Sequence, residues 1–133
     1  MNKDVPLVML VNDEPVMCDV MRRILEMNGY RVIVANDGAT ALENARQSRP
    51  ELVVLDLGMP ISDKRELSAQ IRKNTDCRII YFTSITNSLI NEKAKRISGE
   101  VDAFITRPTS MKKILSVVEN TLGSYQHPVE ARV

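Results

Sequence analysis

Two cysteines, Cys18 and Cys77, are all the thiol this chain carries. They stand far apart with no C-x-x-C spacing, which excludes a disulfide framework and a cysteine zinc cluster and suits a reducing cytoplasm. The single histidine, His127, sits in a polar C-terminal stretch with no partner in sequence, so a ligand role has no support and no His or Cys nucleophile site is visible. No glycine-rich phosphate loop follows the first apolar run, which leaves a nucleotide-using enzyme or flavin carrier unsupported. A bias of charge is missing too. Eighteen basic residues meet seventeen acidic ones for a net charge of +1, with no dominant basic run to attract nucleic acid or an anionic membrane. No apolar stretch approaches the roughly 20 residues that span a bilayer, and the start, Met1-Asn2-Lys3-Asp4, has no signal-like run.

What is present suits one globular domain: 133 residues, 44% hydrophobic and 26% charged. The domain is expected over residues 1–123, with 124–133 a mobile tail too short to fold into an output domain. Five short apolar runs read as strands: Val5–Val11, Tyr30–Ala35, Leu52–Leu55, Cys77–Phe82 and Val101–Ile105. Helical patterns lie between them. The first starts at Pro15, with Asp13 and Glu14 suited to its positive end, and carries Val16, Val20, Met21, Ile24, Leu25 and Met27 as its apolar stripe, closing at Asn28-Gly29. A second follows Asp37-Gly38, bears Ala41, Leu42 and Ala45, and stops at Pro50. Ser62 and Asp63 are candidate caps for a third with Leu67 and Ile71 on its buried side. A thin fourth stripe, Leu89, Ala94 and Ile97, predicts a helix from about Ser88 to Ile97, and Met111–Leu122 a fifth, stopped by Gly123.

Strand and helix thus alternate five times, the pattern of an α/β fold with a parallel sheet and helices on both faces. In such open sheets the polar site lies beyond the carboxyl ends of the strands, where strand order reverses. The groups at those ends are Asn12 and Asp13, Asp56, Thr83 and Arg107. Taken one at a time they have plain roles: Asp56 shapes the turn with Gly58 and Pro60, Asn12 and Asp13 cap a helix, Thr83 is a strand-end hydroxyl, and Phe104 is core. Together, two carboxylates repel unless a hard cation lies between them, and oxygen ligands of this type select Mg²⁺. A half-filled oxygen site suits phosphoryl chemistry, in which a carboxylate can become an acyl phosphate while a hydroxyl and a cation hold the phosphoryl oxygens.

Over roughly Leu7 to Leu122 the chain resembles a response-regulator receiver domain, the chemotaxis-receiver-like phospho-accepting module of two-component signalling. The resemblance implies a doubly wound, flavodoxin-like five-stranded parallel sheet in the order 2-1-3-4-5. It assigns Asp56 as phospho-acceptor, followed by the family's Met59-Pro60. Asp13 becomes the metal-binding acid, Gly58 the residue lending a backbone carbonyl to Mg²⁺, Thr83 the hydroxyl that moves toward the phosphoryl group, and Phe104 the aromatic that turns inward. Arg107-Pro108 stands at the Lys-Pro position. Three departures are visible. Asn12 replaces a second acid, removing a charge while still able to orient a metal-bound water. Arg107 replaces Lys, exchanging a compact ammonium for a planar fork able to pair with Asp56 at rest. Lys64 replaces a glycine.

The resemblance implies a stand-alone signalling domain rather than an enzyme, at most catalysing its own phosphorylation and dephosphorylation. Its expected partners are a sensor histidine kinase or histidine phosphotransfer protein and a downstream protein target, with no nucleic acid and no membrane. The signal is expected in the fourth helix, fifth strand and fifth helix. The departures at Asn12 and Arg107 motivate an alternative, a phosphorylation-independent docking module.

Overall fold

In the computed structural model the described residues are 5–59, 64–84, 102–107 and 109–123. The apolar runs form β1 (Leu7–Val11), β2 (Arg31–Ala35), β3 (Leu52–Asp56), β4 (Arg78–Ser84) and β5 (Ala103–Arg107). All pair in parallel, in the order β2-β1-β3-β4-β5. Every residue of β1 and β3 is buried. This is why their sequences run continuously apolar rather than alternating, since helices cover both faces of a parallel sheet. Those helices are α1 (Pro15–Met27), α2 (Gly38–Ser48), α3 (Lys64–Asn74) and α4 (Met111–Leu122).

Because side chains alternate along a strand, the sheet divides the interior into two cores. Met9, Val11, Leu55 and Tyr81 pack on one face with Ala41 and Ala45 of α2 and Leu67 and Ile71 of α3. Leu10, Val54 and Phe82 pack on the other with Met21 and Leu25 of α1 and Ile114 and Val118 of α4. The register sets residues in rows across the sheet: Ala35, Val11, Leu55, Tyr81 and Phe104 form one row. Asp56, Phe82 and Ile105 belong to the next row toward the carboxyl ends.

The expected strand order and helical faces are largely as observed, with corrections to the α1 face and to the strand ends. In α1 the buried positions are Cys18, Met21 and Leu25, whereas Val16, Val20 and Met27 are 76%, 38% and 75% exposed. Apolar character alone assigned those three to the stripe, but at about 3.6 residues per turn they fall on the side of the helix away from Cys18, Met21 and Leu25. The fifth strand starts at Ala103 rather than Val101 and continues through Thr106 and Arg107, because their main chains pair with Thr83 and Ser84 whatever their side chains are. The first strand likewise begins at Leu7. The expected Ser88–Ile97 helix, the Ser62–Asp63 cap and the 124–133 tail lie outside the described residues. None of the described helices is long and apolar enough to cross a membrane.

Local chemistry sets the helix ends. The α2 N-cap is Asp37, whose carboxylate accepts from the Thr40 N–H at 2.7 Å, and the helix closes at Arg49 in a left-handed turn with φ 50°. The Ser110 hydroxyl accepts from the Lys113 N–H at 3.0 Å to start α4, and Gly123 at φ 70° ends it. The hydrogen bond from the Thr40 N–H holds the Asp37 carboxyl below its ordinary value of 3.8. A depressed carboxyl stabilises the fold fully above its unfolded value and loses that contribution as pH falls through the folded one. Urea denaturation across the acid range should therefore show a loss of stability below about pH 4 that Asp37→Asn, which keeps a cap acceptor without the titrating charge, reduces.

Candidate functional site

The chain leaves β1 toward β2 on one side of the sheet and returns to β3 on the other, so the carboxyl ends of β1 and β3 border the crevice where strand order reverses. Four hydrogen bonds fasten the β1 end at Asn12. Its N–H donates to the Ala35 carbonyl at 3.0 Å. Its own carbonyl accepts from Asn36 Nδ2 at 2.9 Å and from Cys18 Sγ at 3.3 Å. Its side-chain Oδ1 accepts from the Glu14 N–H at 2.8 Å, the Asx turn that lets a chain bend sharply into a helix. Asn12 is only 3% exposed. Glu14 is the N-cap of α1 without a side-chain cap bond, and Pro15 follows, so Asn12 fastens the N-cap residue while the proline leaves the first turn one fewer N–H to satisfy. Asp13 and Glu14 are exposed at the crevice rim.

Asp56 is the last residue of β3 and is 5% exposed. Its Oδ1 accepts from the Gly58 N–H at 2.8 Å, while the Met59 N–H donates to its main-chain carbonyl at 3.3 Å, so the turn wraps the carboxylate. Gly58 allows that approach: a Cβ there would stand 3.2 Å from Asp56 Oδ1. Thr83, buried, ends the described side chains of β4 and pairs with Thr106. The main chain of Arg107 pairs with Ser84 one step further on. Phe104 is half-buried and set against Tyr81, ring centroids 5.8 Å apart at 72°.

Cys18 reports the field of the crevice. Burial raises its thiol above the ordinary value, and the negative charges of Asp13, Asp56 and Glu14 raise it further. Three carboxylates therefore act on one point near the start of α1, and a protonated thiol there is a poor metal ligand. Among the described residues no group of three or more His, Cys, Asp or Glu side chains forms a soft or multidentate metal cluster. The carboxylates near the ends of the two adjacent strands, Asp13 and Asp56, are hard oxygen donors. That set fits a cation such as Mg²⁺, which takes one or two carboxylates and completes its shell with water or phosphate oxygen.

The family model of the response regulator receiver domain matches residues 8–119. The chain belongs to the response-regulator receiver family. Receivers are the signalling domains of two-component systems and as a class are not enzymes. This receiver is 30% identical over 115 residues to the response regulator MprA of Mycobacterium leprae, covering 86% of the chain but 50% of that relative's length. It is 27% identical over 117 residues to the polar-differentiation response regulator DivK of Brucella anthropi, covering 87% of the chain and 95% of DivK. Among solved structures, a CheY-like receiver domain protein from Methanospirillum hungatei JF-1 superposes with a TM-score of 0.77 at 21% identity, covering 89% of this chain and 94% of that one. The receiver spans about half the length of MprA and nearly all of DivK.

The fold thus brings Asn12, Asp56 and Thr83 to the carboxyl ends of adjacent strands and sets Phe104 one step below on β5. Sequence reasoning did not single out Cys18, Asn36, Tyr81 or Ser68, which support the site from beneath. Cys18, Tyr81 and Ser68 are polar groups at buried positions, and burial is a property of the fold; Asn36 is exposed and shows itself only through its bond to the Asn12 carbonyl. Replacing Asn12 with Ala should cost about 1–2 kcal/mol in urea denaturation, the usual loss for a helix-start acceptor, while Asn12→Asp, which keeps the acceptor for Glu14, should cost less.

Proposed function

We propose that Asp56 of this receiver accepts a phosphoryl group from a phosphohistidine on a sensor kinase or phosphotransfer protein. The observation that carries this reading is a 5% exposed carboxylate ending the central strand, its Oδ1 held by the Gly58 N–H, at the point where strand order reverses. A carboxylate oxygen attacks the phosphorus, the P–N bond breaks, and its electron pair returns to the donor imidazole, leaving an acyl phosphate on Asp56. Asp13, Asp56 and the Gly58 carbonyl would hold Mg²⁺, with Asn12 acting indirectly by orienting a bound water. When bound, the cation supplies charge neutralisation between the carboxylate and the incoming phosphoryl group. Thr83 is the candidate donor to one phosphoryl oxygen, and Arg107 the candidate countercharge to another.

Phosphorylation would then bias a two-state surface formed by the Ser88–Ile97 segment, β5 and α4, through Thr83 and Phe104, for a downstream protein target. The reading is supported by membership in the receiver family and by the buried carboxylate of Asp56 at the carboxyl end of β3. The chain should gain one phosphoryl group by intact mass on incubation with Mg²⁺ and acetyl phosphate or phosphoramidate, and Asp56→Asn should gain none. Asn12→Asp, by restoring a second acid, should tighten Mg²⁺ roughly ten-fold in a calorimetric titration. A wild-type chain that stays unmodified while Arg107→Lys reacts would instead favour the phosphorylation-independent docking module.

A further inference from the structure

Tyr81 is fully buried on β4, and a phenol there carries a hydroxyl into an apolar core. Such a group is costly unless it finds a partner. Ser68, buried on α3 between Leu67 and Ile71, is an equally odd choice, because serine is a weak helix former on a face that otherwise packs hydrocarbon. The two choices explain each other: Ser68 Oγ and Tyr81 OH are 2.9 Å apart.

The bond ties together elements that the candidate site uses separately. α3 follows the turn that wraps Asp56. Tyr81 lies two residues before Thr83, on the same face of β4. The Tyr81 ring meets Phe104 edge to face, and the two are also direct register partners. Ser68, Tyr81 and Phe104 thus make a continuous line from α3 through β4 to β5. Turning the Tyr81 ring about its own Cβ–Cζ axis leaves the hydroxyl oxygen in place, but rotation about Cα–Cβ, which would carry the ring toward or away from Phe104, breaks the bond, so the place of the Tyr81 ring beside Phe104 depends on α3.

We propose that Ser68 and Tyr81 are positioning residues that fix the resting place of the Phe104 ring; the signalling consequence rests on the phospho-acceptor reading of Asp56. Movement of the turn after Asp56 would reach Phe104 by way of α3 and this bond, alongside any direct effect at Thr83.

The chain has two phenylalanines, Phe82 and Phe104, so ¹³C-labelled phenylalanine gives a simple ring spectrum. Phe82 packs in the opposite core and serves as an internal control. Without any phosphodonor, Ser68→Ala and Tyr81→Phe should each move the Phe104 signals and leave those of Phe82 in place, the phenylalanine added at position 81 giving a third set to be assigned apart, and the double variant should move Phe104 no further than either single one. Unmoved Phe104 signals in Ser68→Ala, or additive shifts in the double variant, would overturn the proposal and leave the pair a packing contact. In a second arm, beryllofluoride and Mg²⁺ should shift Phe104 at a concentration roughly two- to ten-fold lower in both single variants than in the wild type, the range set by one net hydrogen bond. If no variant responds to beryllofluoride, the phospho-acceptor reading fails, and the donor-free spectra still decide the pair.

Discussion

The main-chain ladder between β1 and β3 sets Val11 opposite Leu55, and the crevice follows from that register. The next residue is Asn12 after β1 and Asp56 at the end of β3. A slip of one residue would turn Asp56 onto the opposite face and send Leu55 into the crevice, since successive side chains point to opposite sides. The buried rows below prevent it. Met9, Val53 and Ile79 in one row and Leu10, Val54 and Ile80 in the next are almost wholly excluded from solvent, and each such side chain is worth about 1.5–3 kcal/mol in place. A polar site of high geometric demand is thus held by residues with no polar atoms in their side chains, apart from the weakly polar sulfur of Met9.

The crevice also combines two electrostatic tendencies that oppose one another. Asp13, Asp56 and Glu14 crowd negative charge at the start of α1, enough to act on the Cys18 thiol. The N-terminal end of that helix carries a partial positive charge that partly offsets them. Asn12 in place of a third strand-end acid lessens the crowding and gives its oxygen to the helix start instead. The turn after β1 is therefore held by the protein's own groups.

Much of this was legible in the residues because burial on both faces leaves a plain mark. Leu52 to Leu55 could only be an interior strand, and polar residues ending several such runs implied a common site. Other features left no mark of their own. The exposure of Val16 and Met27 is invisible to a count of apolar positions, because a half-turn of α1 contacts the sheet and the rest does not. The reach of β5 through Arg107 is a matter of main-chain pairing, to which an arginine side chain is indifferent. The double engagement of Asn12, as turn former and crevice neighbour, shows in its Oδ1 bond and not in its identity. Ser68 and Tyr81 each read as unremarkable until the fold puts their hydroxyls in contact.

The pairing order of the sheet also bears on when the crevice comes into being. Parallel strands cannot meet through a tight hairpin; each pairing closes a long crossover, and such non-local contacts form slowly. Asn12, Asp56 and Thr83 come from three strands joined in this way, with β1 drawn between two neighbours that lie on either side of it. A chain that has paired only β1 with β2 has Asp56 but nothing around it. A newly synthesised or partly unfolded copy would therefore carry Asp56 without the residues that surround it in the finished sheet.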